Sequence, residues 1–151
     1  MAAQICEDIV FREGARVLLV GSSGAGKTQF IKNVIKNKID LFEIPPSKIL
    51  FCSHSKSEDL SKDLGNSVEF IESVPNDSYT FEPYSLVIFD DLLSDSDAEN
   101  ICGKLWSYFC RRCHHEKLYV FVTVQNLFYS SNYFYQQNRS STACGIQIKA
   151  G

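Results

Sequence analysis

Gly21-Ser22-Ser23-Gly24-Ala25-Gly26-Lys27-Thr28 decides the reading of this chain. The spacing is G-x-x-x-x-G-K-[ST], the spelling of a phosphate-binding loop. Its glycines let the backbone curl until several N–H groups point into one cavity. Those donors, with the positive end of the next helix, can hold a phosphate chain. Lys27 would reach the β- and γ-phosphates of a nucleoside triphosphate, and Thr28 would place its hydroxyl on Mg²⁺. All eight residues are therefore candidate cofactor contacts, with Thr28 a metal ligand as well.

The flanks carry the context the motif requires. Ala15-Arg16-Val17-Leu18-Leu19-Val20 is a short apolar run between two glycines and reads as a buried strand. Beyond Lys27, the apolar residues Phe30, Ile31, Val34 and Ile35 recur at helical spacing. Pro45-Pro46 then forbids further helix. Residues 48–52 read as a second buried strand, residues 58–64 as a short helix and residues 67–71 as a short strand. Residues 75–83 form a loop rich in Asn, Asp and Ser.

Tyr84-Ser85-Leu86-Val87-Ile88-Phe89-Asp90-Asp91 is an apolar strand running straight into two carboxylates, the Walker B pattern. In a parallel sheet such a strand ends at the edge where the phosphate loop opens. One carboxylate can then hold Mg²⁺ and the other can orient or deprotonate a water. Residues 94–113 read as a helix. Its start carries a capping box, Ser96-Asp97-Ala98-Glu99, and its core face includes Ala98, Ile101, Cys102, Leu105, Trp106 and Phe109. Residues 118–125 form a strand ending in a polar residue, Gln125. An aromatic stretch occupies 128–135, and residues 145–149 look like a last strand.

Composition bounds the rest. With 151 residues the chain is long enough for one domain with a substantial core. Net charge is −3 and pI about 5.6, so composition gives no support for nucleic-acid binding. The first residues resemble no secretion signal and no apolar run approaches a membrane span, which implies an intracellular protein, cytoplasmic or nuclear. Six cysteines, at 6, 52, 102, 110, 113 and 144, then read as reduced thiols. Cys110-Arg111-Arg112-Cys113-His114 carries half of a zinc-site spelling, but no second pair completes it.

The order of parts resembles the additional-strand class of P-loop ATPases. A strand separates the phosphate-loop unit from the Walker B strand, two acids sit side by side, and a polar residue caps the next strand. The fold expected is α/β, a P-loop NTPase of the RecA/FtsK-like class with a mostly parallel central sheet flanked by helices. Asn37-Lys38-Ile39-Asp40 spells N-K-x-D, but GTPases carry that motif well after Walker B, so here the match is accidental.

A narrower resemblance runs from Cys113-His114-His115 through residues 118–124 to Gln125-Asn126-Leu127-Phe128. Together with Asp90-Asp91-Leu92, it is similar to the FtsK–HerA superfamily. The likeness is greatest to the genome-packaging ATPases of large eukaryotic DNA viruses and of Maverick/Polinton elements. It spans residues 15 to about 149. Two departures stand out. Val124 occupies a position where the family usually has Thr, and the family's basic segment after the last strand is missing here.

The resemblance implies a single P-loop domain over residues 1–151, truncated at its C-terminus relative to the family. It implies MgATP hydrolysis by a homo-oligomeric ring that moves double-stranded DNA, with capsid proteins as further partners and no membrane. Residue by residue, it gives Asp90 to Mg²⁺ coordination, Asp91 to activation of the attacking water and Gln125 to sensing of the γ-phosphate. Lys27 stabilises developing charge. Arg139, with Arg112 behind it, is the candidate to act on a neighbouring subunit's nucleotide. Two other readings stay open: a small P-loop kinase, whose arginine-bearing lid would need Arg111-Arg112, and a catalytically weak nucleotide-binding switch or assembly adaptor.

Overall fold

The computed structural model of the protein describes residues 10–54, 58–92, 98–125 and 145–149. Its strands are β1 (Arg16–Val20), β2 (Ile49–Ser53), β3 (Val68–Ile71), β4 (Leu86–Asp90), β5 (Tyr119–Val124) and β6 (Gly145–Lys149). They form one sheet in the order β3-β2-β4-β5-β1-β6, and every pairing is parallel. Strand β5 lies between the phosphate-loop strand β1 and the acid-bearing strand β4. That insertion defines the additional-strand class of P-loop NTPases, the fold expected from the sequence.

Strands β1, β2, β4 and β5 are buried on both faces, and side-chain alternation divides the core in two. Val17, Leu19, Ile49, Phe51, Leu86, Ile88, Tyr119 and Phe121 point to one face. There they pack against helix α1 (Lys27–Lys36) through Ile31, Val34 and Ile35, and against α3 (Glu58–Leu64) through Leu60 and Leu64. The intervening residues Leu50, Val87, Phe89, Val120 and Val122 point to the opposite face. They meet the helix that returns from β4 to β5, through Cys102, Leu105, Tyr108 and Phe109. Side chains of this size are worth about 1.5–3 kcal/mol each when fully buried, so the parity of each strand is firmly fixed. A four-residue helix α2 (Lys38–Leu41) brings Phe42 beneath the sheet, where it packs against Phe11, Tyr119 and Phe121.

The returning helix departs from the continuous α-helix expected over residues 94–113. It is described as α4 (Ala98–Ser107), a π turn (Tyr108–Arg112) and a last turn α5 (Cys113–His115). In the π turn the Cys113 N–H reaches back five residues to the Tyr108 carbonyl. Two interactions accompany the distortion. The Phe109 carbonyl accepts from Arg16 Nη1 at 3.1 Å and from Cys113 Sγ at 2.9 Å. Arg112 donates to both oxygens of Glu116, to the Tyr108 hydroxyl at 2.6 Å and to the Tyr79 carbonyl at 2.7 Å. Its guanidinium also lies over the Phe81 and Tyr108 rings.

The capping box expected at the start of α4 begins at Ser96 and Asp97, which lie outside the described residues. Trp106 is half-buried at the margin of the core and not fully inside it. Cys52 and Cys102 are free thiols buried in the core, while Cys144 lies outside the described residues. Among the described residues no group of three or more His, Cys, Asp or Glu could hold a metal ion, and no helix is long and apolar enough to cross a membrane.

Candidate nucleotide site

Because all strands are parallel, β1, β4 and β5 deliver their C-terminal ends to one edge of the sheet. The phosphate loop comes directly after β1, Asp91 comes after Asp90 at the end of β4, and Gln125 comes after β5. The Gly21 N–H donates to the Val124 carbonyl at 3.1 Å, which ties the start of the loop to the end of β5. Gly24 and Gly26 sit at φ of 80° and 95°, a left-handed backbone that favours glycine. A Cβ built on either would meet nothing within 4 Å among the described residues, so their positive φ and not crowding selects glycine. Gly26 is also the N-cap of α1, and it offers no side chain to the helix's first N–H groups. The positive end of the helix thus opens into a glycine-lined hollow, which suits a phosphate chain.

A cavity of about 250 Å³ at this edge brings the sequence-distant candidates together. Ser23, Gly24, Gly26, Lys27, Thr28 and Gln29 line it together with Asp90, Asp91 and Gln125. Lys27 Nζ donates to the carbonyls of Gly21 and Ser22, the latter at 3.0 Å, so the ammonium lies along the loop. A larger groove of about 770 Å³ lies elsewhere, along α4 and the π turn. It shares no residue with this edge, and we assign the chemistry to the smaller cavity because the loop and the acids line it.

Asp90 and Asp91 stand in different surroundings. Asp90 is largely enclosed, and its burial holds its carboxyl above the ordinary carboxylate range. The Thr123 hydroxyl, which donates to Asp90 Oδ1 at 2.7 Å, works against that rise, as does the Lys27 charge, while the neighbouring Asp91 charge adds to it. Asp91 has a left-handed backbone, φ 51°. Its N–H donates to Thr123 Oγ1 at 3.0 Å, and its Oδ2 accepts from Gln125 Nε2 at 2.8 Å. A strained backbone at a carboxylate, held in place by two neighbours, is the kind of arrangement that functional sites carry.

The chemistry of this donor set fits MgATP. Thr28 supplies a neutral oxygen and Asp90 a carboxylate, hard ligands of the type Mg²⁺ takes alongside phosphate oxygens. Asp91 and Gln125, linked to each other at the rim, are positioned to handle a water.

Two expectations concerning arginines fare differently. Arg139 lies outside the described residues, as do Asn126, Leu127 and Phe128. Arg112 is among the described residues. Its guanidinium is taken up within the fold by Glu116, Tyr108 and Tyr79, on the returning helix and the loop before β4, and does not reach the cavity that holds the phosphate loop. His114 packs against Gly14, in keeping with a role in shaping the turn before β5. The residue that sequence reasoning missed is Thr123. Its signal was present: a hydroxyl in an otherwise apolar strand, two residues before the polar cap Gln125.

In shape the chain is similar to the cytoplasmic domain of the type VII secretion ATPase EccC of Thermomonospora curvata. The TM-score is 0.55 and the sequence identity 12%, covering 91% of this chain. The chain spans 19% of that protein's chain, and the likeness is one of fold. No family model and no curated protein sequence matches the chain.

Proposed function

We propose that this chain is a MgATP-hydrolysing P-loop ATPase. The observation that carries the reading is the convergence of Lys27 and Thr28, Asp90 and Asp91, and Gln125 on one cavity. Three stretches far apart in sequence meet there with the residue types that water-mediated phosphoryl transfer needs. The loop N–H groups and Lys27 bind the phosphate chain and stabilise charge that develops on it. Thr28 and Asp90 would hold Mg²⁺, which when bound would offset the negative charge of the phosphate chain. Asp91 takes the proton of the attacking water, and Gln125 fixes that carboxylate and reads whether a γ-phosphate is present.

Within that class we propose a homo-oligomeric ring that moves double-stranded DNA, as in the genome-packaging ATPases the sequence resembles. Capsid proteins are then further partners. The support is the stretch from His114 to Phe128 together with Asp90-Asp91-Leu92. The kinase reading loses support, because Arg112 is held within the fold and the arginine pair its lid needs is broken up. The adaptor reading is the one to test against. Phosphate release is measured with and without double-stranded DNA, alongside the mass of the assembly. Stimulated release from an oligomer supports the motor. Release that ignores DNA, from a protein that stays monomeric with ATP and DNA present, hands the assignment to the adaptor.

A further inference from the structure

Thr123 interrupts the run of apolar residues that ends β5, and it is 1% exposed. Pairing β4 to β5 sets it directly beside Asp90. Its hydroxyl has one proton to donate and lone pairs to accept with, and the structure uses both capacities. The proton goes to Asp90 Oδ1 at 2.7 Å. The oxygen accepts the Asp91 N–H at 3.0 Å. One side chain therefore touches both acids at the end of the neighbouring strand, through different atoms and with opposite polarity.

We propose that Thr123 is a positioning residue that gives the two acids their separate tasks, resting on the MgATP reading of the site. By occupying Oδ1 of Asp90 it leaves Oδ2 as the oxygen to face a cation, and it turns the carboxylate in a single direction. By accepting from the Asp91 N–H it holds that residue in its left-handed backbone, a conformation uncommon outside glycine. The Asp91 carboxylate then projects toward Gln125, whose Nε2 completes the arrangement at 2.8 Å. Thr123 is the last residue but one of β5, and Gln125 follows directly after the strand. The end of β5 thus grips Asp90 through Thr123, and Asp91 through Thr123 and Gln125, so any shift of β5 against β4 moves both acids together.

The hydroxyl, and not the bulk of the side chain, carries this role. Thr123→Val keeps the shape and removes both hydrogen bonds, while Thr123→Ser keeps the hydroxyl and loses a methyl. Groups that hold a metal ligand in place are typically worth about 10–100-fold in metal affinity or activity. The test titrates Mg²⁺ against a fluorescent ATP analogue bound to wild type and both variants, with turnover and the exchange rate of the Asp91 amide measured beside it. Thr123→Val is expected to bind the analogue in EDTA as wild type does. It should need about 10–100-fold more Mg²⁺ for half-saturation, turn over more slowly with little change in KM, and lose protection of the Asp91 amide. Thr123→Ser is expected to restore all three. Wild-type Mg²⁺ dependence in Thr123→Val overturns the proposal, as does equal damage in Thr123→Ser, which would make the methyl's packing the cause. A wild-type protein that binds no nucleotide at all instead defeats the ATPase reading, and the proposal falls with it.

Discussion

Gln125 Nε2 donates to Asp91 Oδ2 at 2.8 Å, so the residue just past one strand holds the residue just past its neighbour. Both residues line the cavity that also holds the phosphate loop. Gln125→Ala removes the donor without touching the loop. Turnover should fall by about tenfold or more, while ADP affinity stays at the wild-type value. Phosphate release and an ADP titration check it. ADP affinity that drops as far as ATP affinity would make Gln125 a cap for the strand only.

Lys27 lies along the carbonyls of Gly21 and Ser22 at the mouth of α1. Lys27→Met keeps the length of the side chain and discards its charge. Turnover should drop by about 10²-fold or more, the size of losing one donor to developing charge. Unchanged ATP affinity together with unchanged hydrolysis would remove Lys27 from the site.

The two acids should respond differently to neutralisation. Asp91→Asn should keep ATP bound and slow hydrolysis by about 10²-fold or more, as when a general base is lost. Asp90→Asn should weaken metal-dependent binding, and its effect on stability has a definite sign. Burial holds Asp90's pKa above the ordinary value, so the folded chain binds that proton more tightly than the unfolded chain. Stability then falls as pH rises from the ordinary carboxylate range through the raised pKa, and above it the full cost of the buried charge is present. Asparagine carries no such charge and can still accept from Thr123. Without nucleotide, the variant should therefore melt above wild type at neutral pH, with the gap closing as pH is lowered. Thermal melts across that range test it, and a wild type that melts higher at neutral pH contradicts the buried-charge account.

Arg112 should matter to folding and not to chemistry. Its guanidinium joins Glu116 and Tyr108 of the returning helix to the Tyr79 carbonyl of the loop before β4. Arg112→Ala leaves Glu116 half-buried and without this partner, at a cost of about 2 kcal/mol. The melting temperature should fall by roughly 4–8 °C for a chain of this size. Nucleotide affinity of the folded fraction should be unchanged. A variant that melts like wild type but has lost turnover would return Arg112 to the active site.

The parts of this fold that were legible in sequence are those set by periodicity and by glycine. The run before Gly21, the acids after Phe89 and the polar cap at Gln125 each mark the end of a strand, and parallel pairing carries all three to one edge. What stayed hidden depends on which strands are neighbours. Thr123 becomes a partner of Asp90 only once β5 is inserted next to β4, a relationship between residues 33 positions apart. The π turn was hidden for a related reason. Apolar spacing through Leu105, Tyr108 and Phe109 fits an ordinary helix, and the distortion is visible only with Arg16 and Cys113 on the Phe109 carbonyl. Arg112 read as available because an arginine beside another arginine looks solvated until its aromatic and acidic neighbours are known.

The π turn also fixes a rotational phase. An α-helix turns by about 100° per residue, so taking in one additional residue rotates everything beyond it by that angle relative to an unbroken helix. Arg16 feels the setting most. It is 7% exposed, its Nε meets no partner among the described residues, and it has the Phe109 carbonyl as a hydrogen-bond acceptor. Losing a single residue between Ser107 and Cys113 would swing the helix's far end out of step and take that acceptor from a buried cation. In this segment a change of length by one is therefore a more severe lesion than most changes of side chain.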